Sequence, residues 1–180
     1  MSKLKESKKE KQERLEIQKQ VIRRIFEQFD TDGSGEIDKD EFIEGMKNYF
    51  QLDETPNPNE FNEIFEAIFK VSDKASIFRK RNGQLDIKEF TRIVLAFPEN
   101  LVNSPQDIVA ETLFNIIDEN RNGSISKKEF QDFCYKVNRD KKDQLELFKN
   151  VDFSNVDFNS DGSVSKDEFI LWFWSERLNK

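Results

Sequence analysis

The dipeptide Glu-Phe closes a polar stretch four times, at Glu41-Phe42, Glu89-Phe90, Glu129-Phe130 and Glu168-Phe169. The glutamates lie 48, 40 and 39 residues apart, a repeat of supersecondary size. Three of them end 12-residue segments: DTDGSGEIDKDE over 30–41, DENRNGSISKKE over 118–129 and DFNSDGSVSKDE over 157–168. Each segment has oxygen-bearing side chains at positions 1, 3, 5 and 9, Gly at 6, an aliphatic residue at 8 and Glu at 12. Three copies in register constrain the chain strongly. Each polar loop has to hang between two elements that bury the apolar residues on its flanks.

The spacing suits a hard cation. Calcium takes six to eight oxygens at roughly 2.3–2.6 Å, and a 12-residue loop with a sharp turn at position 6 can supply them. In the first loop, Asp30, Asp32 and Ser34 offer side-chain oxygens and Glu36 its backbone carbonyl. Asp38 acts through a water, and Glu41 closes the shell with both carboxylate oxygens. The third repeat offers Asp118, Asn120, Asn122, the Ser124 carbonyl, Ser126 and Glu129. The fourth offers Asp157, Asn159, Asp161, the Ser163 carbonyl, Ser165 and Glu168. A bidentate Glu at position 12 favours calcium over the smaller, octahedral magnesium, which remains a possible competitor. The third loop has carboxylates only at positions 1 and 12, so it binds weakest if charge dominates.

The flanks agree with this reading. Phe26 and Phe29 stand four and one residues before Asp30, as Phe114 and Ile117 do before Asp118 and Phe153 and Val156 before Asp157. Those offsets share one helix face. Helices are expected near 10–29, 39–50, 58–71, 87–97, 105–117, 127–138, 141–155 and 166–177. Ile37, Ile125 and Val164 suit short strands by which loops pair. Pro98 and Pro105 bracket a linker, which divides the chain into a charged N-terminal extension (1–14), a first pair of repeats (15–97) and a second pair (106–180).

The second repeat is damaged. Counting back from Glu89 puts Phe78 at position 1 and Lys80 at position 3, neither of which can ligate a cation. Aligning Asp73 with position 1 instead keeps Phe69 four residues upstream and makes a 17-residue loop with five insertions. The stretch carries Lys74, Arg79, Lys80 and Arg81, which repel a dication. It reads as a partner for the first repeat that holds no metal.

Composition removes other classes. The 180 residues include no His and one Cys, so His-based catalytic units, His-ligated zinc, multi-Cys metal sites and an intrachain disulfide are excluded. No phosphate-binding Gly loop or nucleophile motif appears, and an enzyme is not expected. A net charge of −7 makes a poor nucleic-acid binder. No run is long and apolar enough for a membrane span, and residues 1–14 lack the apolar core of a signal peptide, so a cytoplasmic protein is expected. Residues 3–14 mix both charge signs and read as a solvated or frayed helix. Cys134 and both Trp residues, Trp172 and Trp174, read as core.

The loops resemble the EF-hand calcium loop. Over about residues 15–177 the chain resembles a four-hand protein of the sarcoplasmic calcium-binding protein class, which includes calerythrin-like proteins. The branch is suggested by the interrupted second hand, the length, and the aromatic last helix, PheIleLeuTrpPheTrp over 169–174. The resemblance implies an all-α fold of two EF-hand pairs, eight helices in all, packed as a compact monomer that buffers calcium through three loops. The last helix would then be buried against the other lobe. Coelenterazine photoproteins share the layout, but their light chemistry needs histidines. A calmodulin-like sensor that takes a protein target on calcium loading is the alternative. Such sensors present Met-rich grooves, whereas this chain has two Met and 18 Phe.

Overall fold

A computed structural model describes residues 8–52, 61–73, 82–98, 105–139, 144–145 and 148–178. The insertion in the second repeat (74–81) and the linker (99–104) lie outside the described residues. In order, the elements are α1 (Lys8–Phe29), β1 (Ile37–Asp38), α2 (Lys39–Tyr49), α3 (Asn62–Ser72), β2 (Gln84–Leu85), α4 (Ile87–Val94), α5 (Pro105–Ile117), β3 (Ser124–Ser126), α6 (Lys127–Asn138), a 3-10 turn (Phe153–Asn155), β4 (Ser163–Ser165) and α7 (Lys166–Leu178). The fold is mostly helical. Its only strands among the described residues are the short segments inside the repeats.

Those strands join the repeats in pairs. β1 runs antiparallel to β2 with Ile37 opposite Leu85, and β3 antiparallel to β4 with Ile125 opposite Val164. All four aliphatic side chains are fully buried, so each pair of loops is fastened by one apolar contact at position 8.

Each exiting helix starts at the end of its loop for a local reason. Position 9 is the N-cap. Asp38, Asp86 and Ser126 each accept from the backbone N–H of the position-12 glutamate, whose side chain accepts in return from the cap's own N–H. Ser165 and Glu168 exchange the same bonds. This reciprocal capping box satisfies two N–H groups that a helix start otherwise leaves open.

The Phe residues on the flanks cross between partners. Phe26, entering the first hand, meets Phe90, leaving the second, at 5.6 Å. Phe69, entering the second, meets Phe42, leaving the first, at 5.7 Å. The C-terminal half repeats the exchange: Phe114 with Phe169 at 5.8 Å and Phe153 with Phe130 at 5.9 Å. Each hand thus completes the core of its partner, and burying each ring contributes about 1.5–3 kcal/mol. One glycine marks how closely the first hand packs. A Cβ on Gly45 would come within 2.4 Å of the Phe29 ring.

The two halves share one core. α3 is the reason. Ile64, Phe65, Ala67, Ile68, Phe69 and Val71 are all buried, which makes the helix apolar on nearly every side. Such a helix needs cover all round. It packs on α2 and α4 of its own half and on α5 and α6 of the other. The sequence had pointed instead to the last helix as the inter-lobe element. Among the described residues the ring partners of Phe169 and Trp172 lie in the C-terminal half: Phe114, Phe130, Phe148, Phe173 and one another.

Seven α-helices are present among the described residues, and the helix expected over 141–155 is where the count departs. From Phe148 to Asn155 the chain forms turns and one 3-10 turn. Residues 140–143 and 146–147 lie outside the described residues. Asn138 explains the interruption. Its side chain accepts from the Leu145 N–H at 2.8 Å and donates to the Phe148 carbonyl at 2.8 Å, turning the chain back directly after α6. Asn150 then adopts φ 56°, which a right-handed helix cannot include. Leu145, Phe148 and Phe153 still reach the core.

Candidate metal centre

Each loop is closed on itself by its own backbone N–H groups. The position-1 aspartate is the hub. Its N–H donates to the carbonyl of the Phe four residues upstream, which carries the preceding helix turn to the loop's edge: Asp30 to Phe26, Asp73 to Phe69, Asp118 to Phe114 and Asp157 to Phe153. Its Oδ2 accepts from the N–H of the turning glycine. The distances are 2.9 Å for Asp30 and Gly35, 2.8 Å for Asp118 and Gly123 and 3.0 Å for Asp157 and Gly162. Its Oδ1 accepts from the position-5 N–H in Ser34, Asn122 and Asp161. The glycine sits at φ 84° to 88° in these three loops, a region where a side chain is strained.

The position-12 glutamate ties the two ends of the loop together. Glu41 Oε1 accepts from the N–H groups of Thr31 and Asp32 and from the Thr31 hydroxyl at 2.8 Å, while Oε2 accepts from the Asp38 N–H. Glu129 spans from Asn120 to Ser126, and Glu168 from Asn159 to Ser165. In the first loop one oxygen each of Asp30, Asp32 and Glu41 lie within 4.8 Å of one another. The third and fourth loops have Asn at position 3, and there an amide oxygen stands where the first loop has a carboxylate. Asn120 Oδ1 and Asn159 Oδ1 accept from the position-5 N–H at 3.0 and 2.8 Å, as Asp32 does at 2.9 Å.

The structure brings the carboxylates at positions 1, 3 and 12 of the first loop together, while in the fourth loop Asp161 is taken up by Asn159 and Ser163. Position 9 has a second task besides any water-mediated contact: Asp38, Ser126 and Ser165 cap the exiting helix. The position-7 carbonyl of Glu36 accepts from the Ser34 hydroxyl at 2.8 Å. Thr31 is a participant that the ligand pattern did not flag. The signal was its hydroxyl at position 2, within reach of the closing glutamate.

Electrostatics favours the charged forms. Hydrogen bonds from the Ser34 backbone and hydroxyl hold the Asp32 carboxyl below its usual range, and Ser163 does the same for Asp161. Burial pushes Glu41 and Glu129 up, but the bonds from Asp38, Thr31 and Asp32 and from Ser126 and Asn120 outweigh it and leave both lowered. Ser165 lowers Glu168. The donor set is all oxygen, and backbone and hydroxyl bonds hold Asp32, Asp161 and the three position-12 glutamates below their usual carboxyl range. That chemistry fits a calcium-sized hard cation and not a soft metal. In each loop positions 1, 3, 5, 7 and 12 would hold the ion, which would replace the internal hydrogen bonds as the partner of these oxygens.

The second repeat resolves the choice of alignment. Gly83 donates to Asp73 Oδ2 at 3.0 Å, the same bond as in the other three loops. Asp73 therefore occupies position 1 and Phe78 does not. Asn82 accepts from the Gln84 N–H as position 5 does elsewhere, and Asp86 with Glu89 forms the capping box. The described parts of this loop, its glycine bond, its position-5 bond and its capping box, match those of the other three. Asn82 also donates to Glu36 at 3.2 Å, joining the second loop to the first.

Cys134 lies half-buried against the core, and burial pushes its thiol up to about 12, so it carries no reactive thiolate.

Comparison with known proteins agrees with the geometry. The EF hand domain model matches residues 21–49, and the EF-hand domain pair model matches residues 107–173. The chain is 28% identical over 149 residues to a calcium-binding protein of Caenorhabditis elegans, covering 82% of this chain and 57% of that protein. It is 28% identical over 155 residues to calcium-binding protein CML19 of Arabidopsis thaliana, covering 83% and 78%. Calmodulin-like protein 2 of the same plant is 28% identical over 148 residues, covering 82% and 87%. Two stretches of the chain, 21–49 and 107–173, are thus similar to EF-hand domains.

Proposed function

We propose that this protein binds calcium through the loops 30–41, 118–129 and 157–168 and acts chiefly as a calcium buffer. One observation carries the reading: in each of the three loops backbone N–H groups hold the position-1 and position-12 carboxylates, and the position-12 carboxyls are lowered by those bonds. Capture removes repulsion among those carboxylates. The three loops hold 13 acids and 5 bases, a net −8, so the acidity of the chain is concentrated there. Titration calorimetry or native mass spectrometry is expected to give three calcium ions per chain. Four would return the second loop to the metal-binding class, and none would end the proposal.

Buffering over sensing is supported by what the core contains. Met46, the only internal methionine, is fully buried, and the flanking Phe rings are used in packing between hands. A stiff aromatic core is a poor adaptable groove. The interrupted second hand and the buried aromatics of α7 support a branch like the sarcoplasmic calcium-binding protein class. The sensor reading draws support from the calmodulin-like relatives. The two separate by hydrophobic-dye fluorescence: a large rise on calcium loading makes the protein a sensor, and a flat response makes it a buffer. A cytoplasmic monomer that is not an enzyme suits both readings, as does the unreactive thiol of Cys134.

A further inference from the structure

α1 is longer than its repeat requires. Its first buried residue is Ile22, so residues 8–21 form 14 exposed helical residues, about 21 Å of helix, ahead of the core. A helix of that length is marginal in water without a surface to cover it. Leu15, Ile17 and Val21 are exposed, with Ile17 the most open at 63%. At helical spacing Ile17, Val21 and the half-buried Ile25 make one stripe. Arg14 falls on that stripe and Arg24 beside it, where long cationic chains can lie along apolar surface with their heads in a polar layer.

The charge on this arm opposes that of the molecule. Residues 8–24 hold seven Lys and Arg against three Glu, a net +4, so the rest of the chain carries −11 of the total −7. Glu13 and Glu16 are already engaged by Lys9 and Lys19. Lys8, Lys11, Arg23 and Arg24 are exposed and have no carboxylate partner among the described residues. A second copy of the arm would bring like charge to like charge. An anionic surface complements it.

We infer that the exposed part of α1 docks on anionic phospholipid bilayers, with Ile17 and Val21 entering the headgroup boundary and Lys11 and Arg24, which flank the stripe, on the phosphates. The acidic body does not cancel this attraction. The arm's length exceeds two Debye lengths at physiological salt, about 8 Å each, so repulsion from the metal loops is screened at its tip. Few aliphatics and a small number of flanking cations give reversible rather than permanent attachment. The inference is independent of calcium binding.

The test uses the full chain held metal-free with chelator and sedimented with vesicles of phosphatidylcholine alone or mixed with phosphatidylserine. Binding is expected to the mixed vesicles only, and it should vanish near 1 M salt, where the Debye length is about 3 Å. The double variants Lys11→Glu/Arg24→Glu and Ile17→Ser/Val21→Ser change exposed residues and should keep the circular dichroism of the parent. Each should weaken binding about tenfold or more. Equal binding to both vesicle types, no binding, or binding untouched by both variants overturns the proposal. So does a dimer in sedimentation velocity that Ile17→Ser/Val21→Ser dissolves, which would assign the stripe to a second copy. Vesicle binding with a calcium count of zero would sink the metal reading and leave this one standing.

Discussion

The first and second hands are built on the same frame and differ in what the frame encloses. Both have the Phe-to-Asp helix end, the Asp-to-Gly bond, the paired strand residue and the capping box. The first encloses three converging carboxylates. The second has five extra residues and four cations between its position-1 Asp and its glycine. The bonds that shape the loop and the oxygens that serve a metal are therefore separable. A hand can lose the ligand spacing and keep its structural work, because backbone N–H groups near Gly83 and Asp86 supply the frame and need no ion.

The sharpest break of this comparison is at position 12. Glu41→Gln should remove one calcium from the count, and Glu89→Gln should leave the count unchanged. An ion lost with Glu89→Gln would mean the two loops are alike. Next is Phe90→Ala, a change in the second hand. Phe90 is fully buried and touches both Phe26 and Phe29 of the first. It should cost about 3–5 kcal/mol in denaturant unfolding and also weaken calcium at the first loop. Unchanged affinity would show that the hands do not support one another. Gly45→Ala should cost about 1–3 kcal/mol, because the new methyl meets the Phe29 ring. A neutral result would deny the close packing of α1 on α2. Asp73→Ala removes the bond to Gly83, and about 1 kcal/mol should follow, with calcium stoichiometry intact.

A last and smallest test is acid. Glu41, Glu129 and Glu168 are lowered from the ordinary carboxyl value of 4.5. A carboxyl depressed in the folded state stabilises it above the unfolded value and loses that contribution as pH falls through the folded one. Metal-free protein should therefore keep its melting temperature from neutral pH to about 5 and lose it progressively below 4.5. A loss beginning near pH 6 would implicate other groups.

Much of the site could be read from spacing, because a calcium loop is a local object. All its ligands lie within 12 residues, and glycine, aliphatic and glutamate positions are fixed by geometry within that span. The capping role of position 9 was hidden because Asp38, Ser126 and Ser165 satisfy both a ligand pattern and a cap pattern. The missing helix before the fourth loop was hidden because Leu145, Phe148 and Phe153 have helical spacing. The Asn138 bonds that turn the chain join residues 7 and 10 apart, beyond any single helical turn.

By itself the sequence determined the four repeats, the three oxygen-lined loops, the defect in the second and the helices around them, except the one expected before the fourth loop. Periodicity and loop chemistry act over a few residues and leave a mark at each position. Only the tertiary structure decided which aligned residue opens the second loop, which Phe completes which hand, and that α3 joins the halves. Those outcomes depend on contacts between residues far apart in the chain. Many apolar residues could have met there, and close packing selects one arrangement among them.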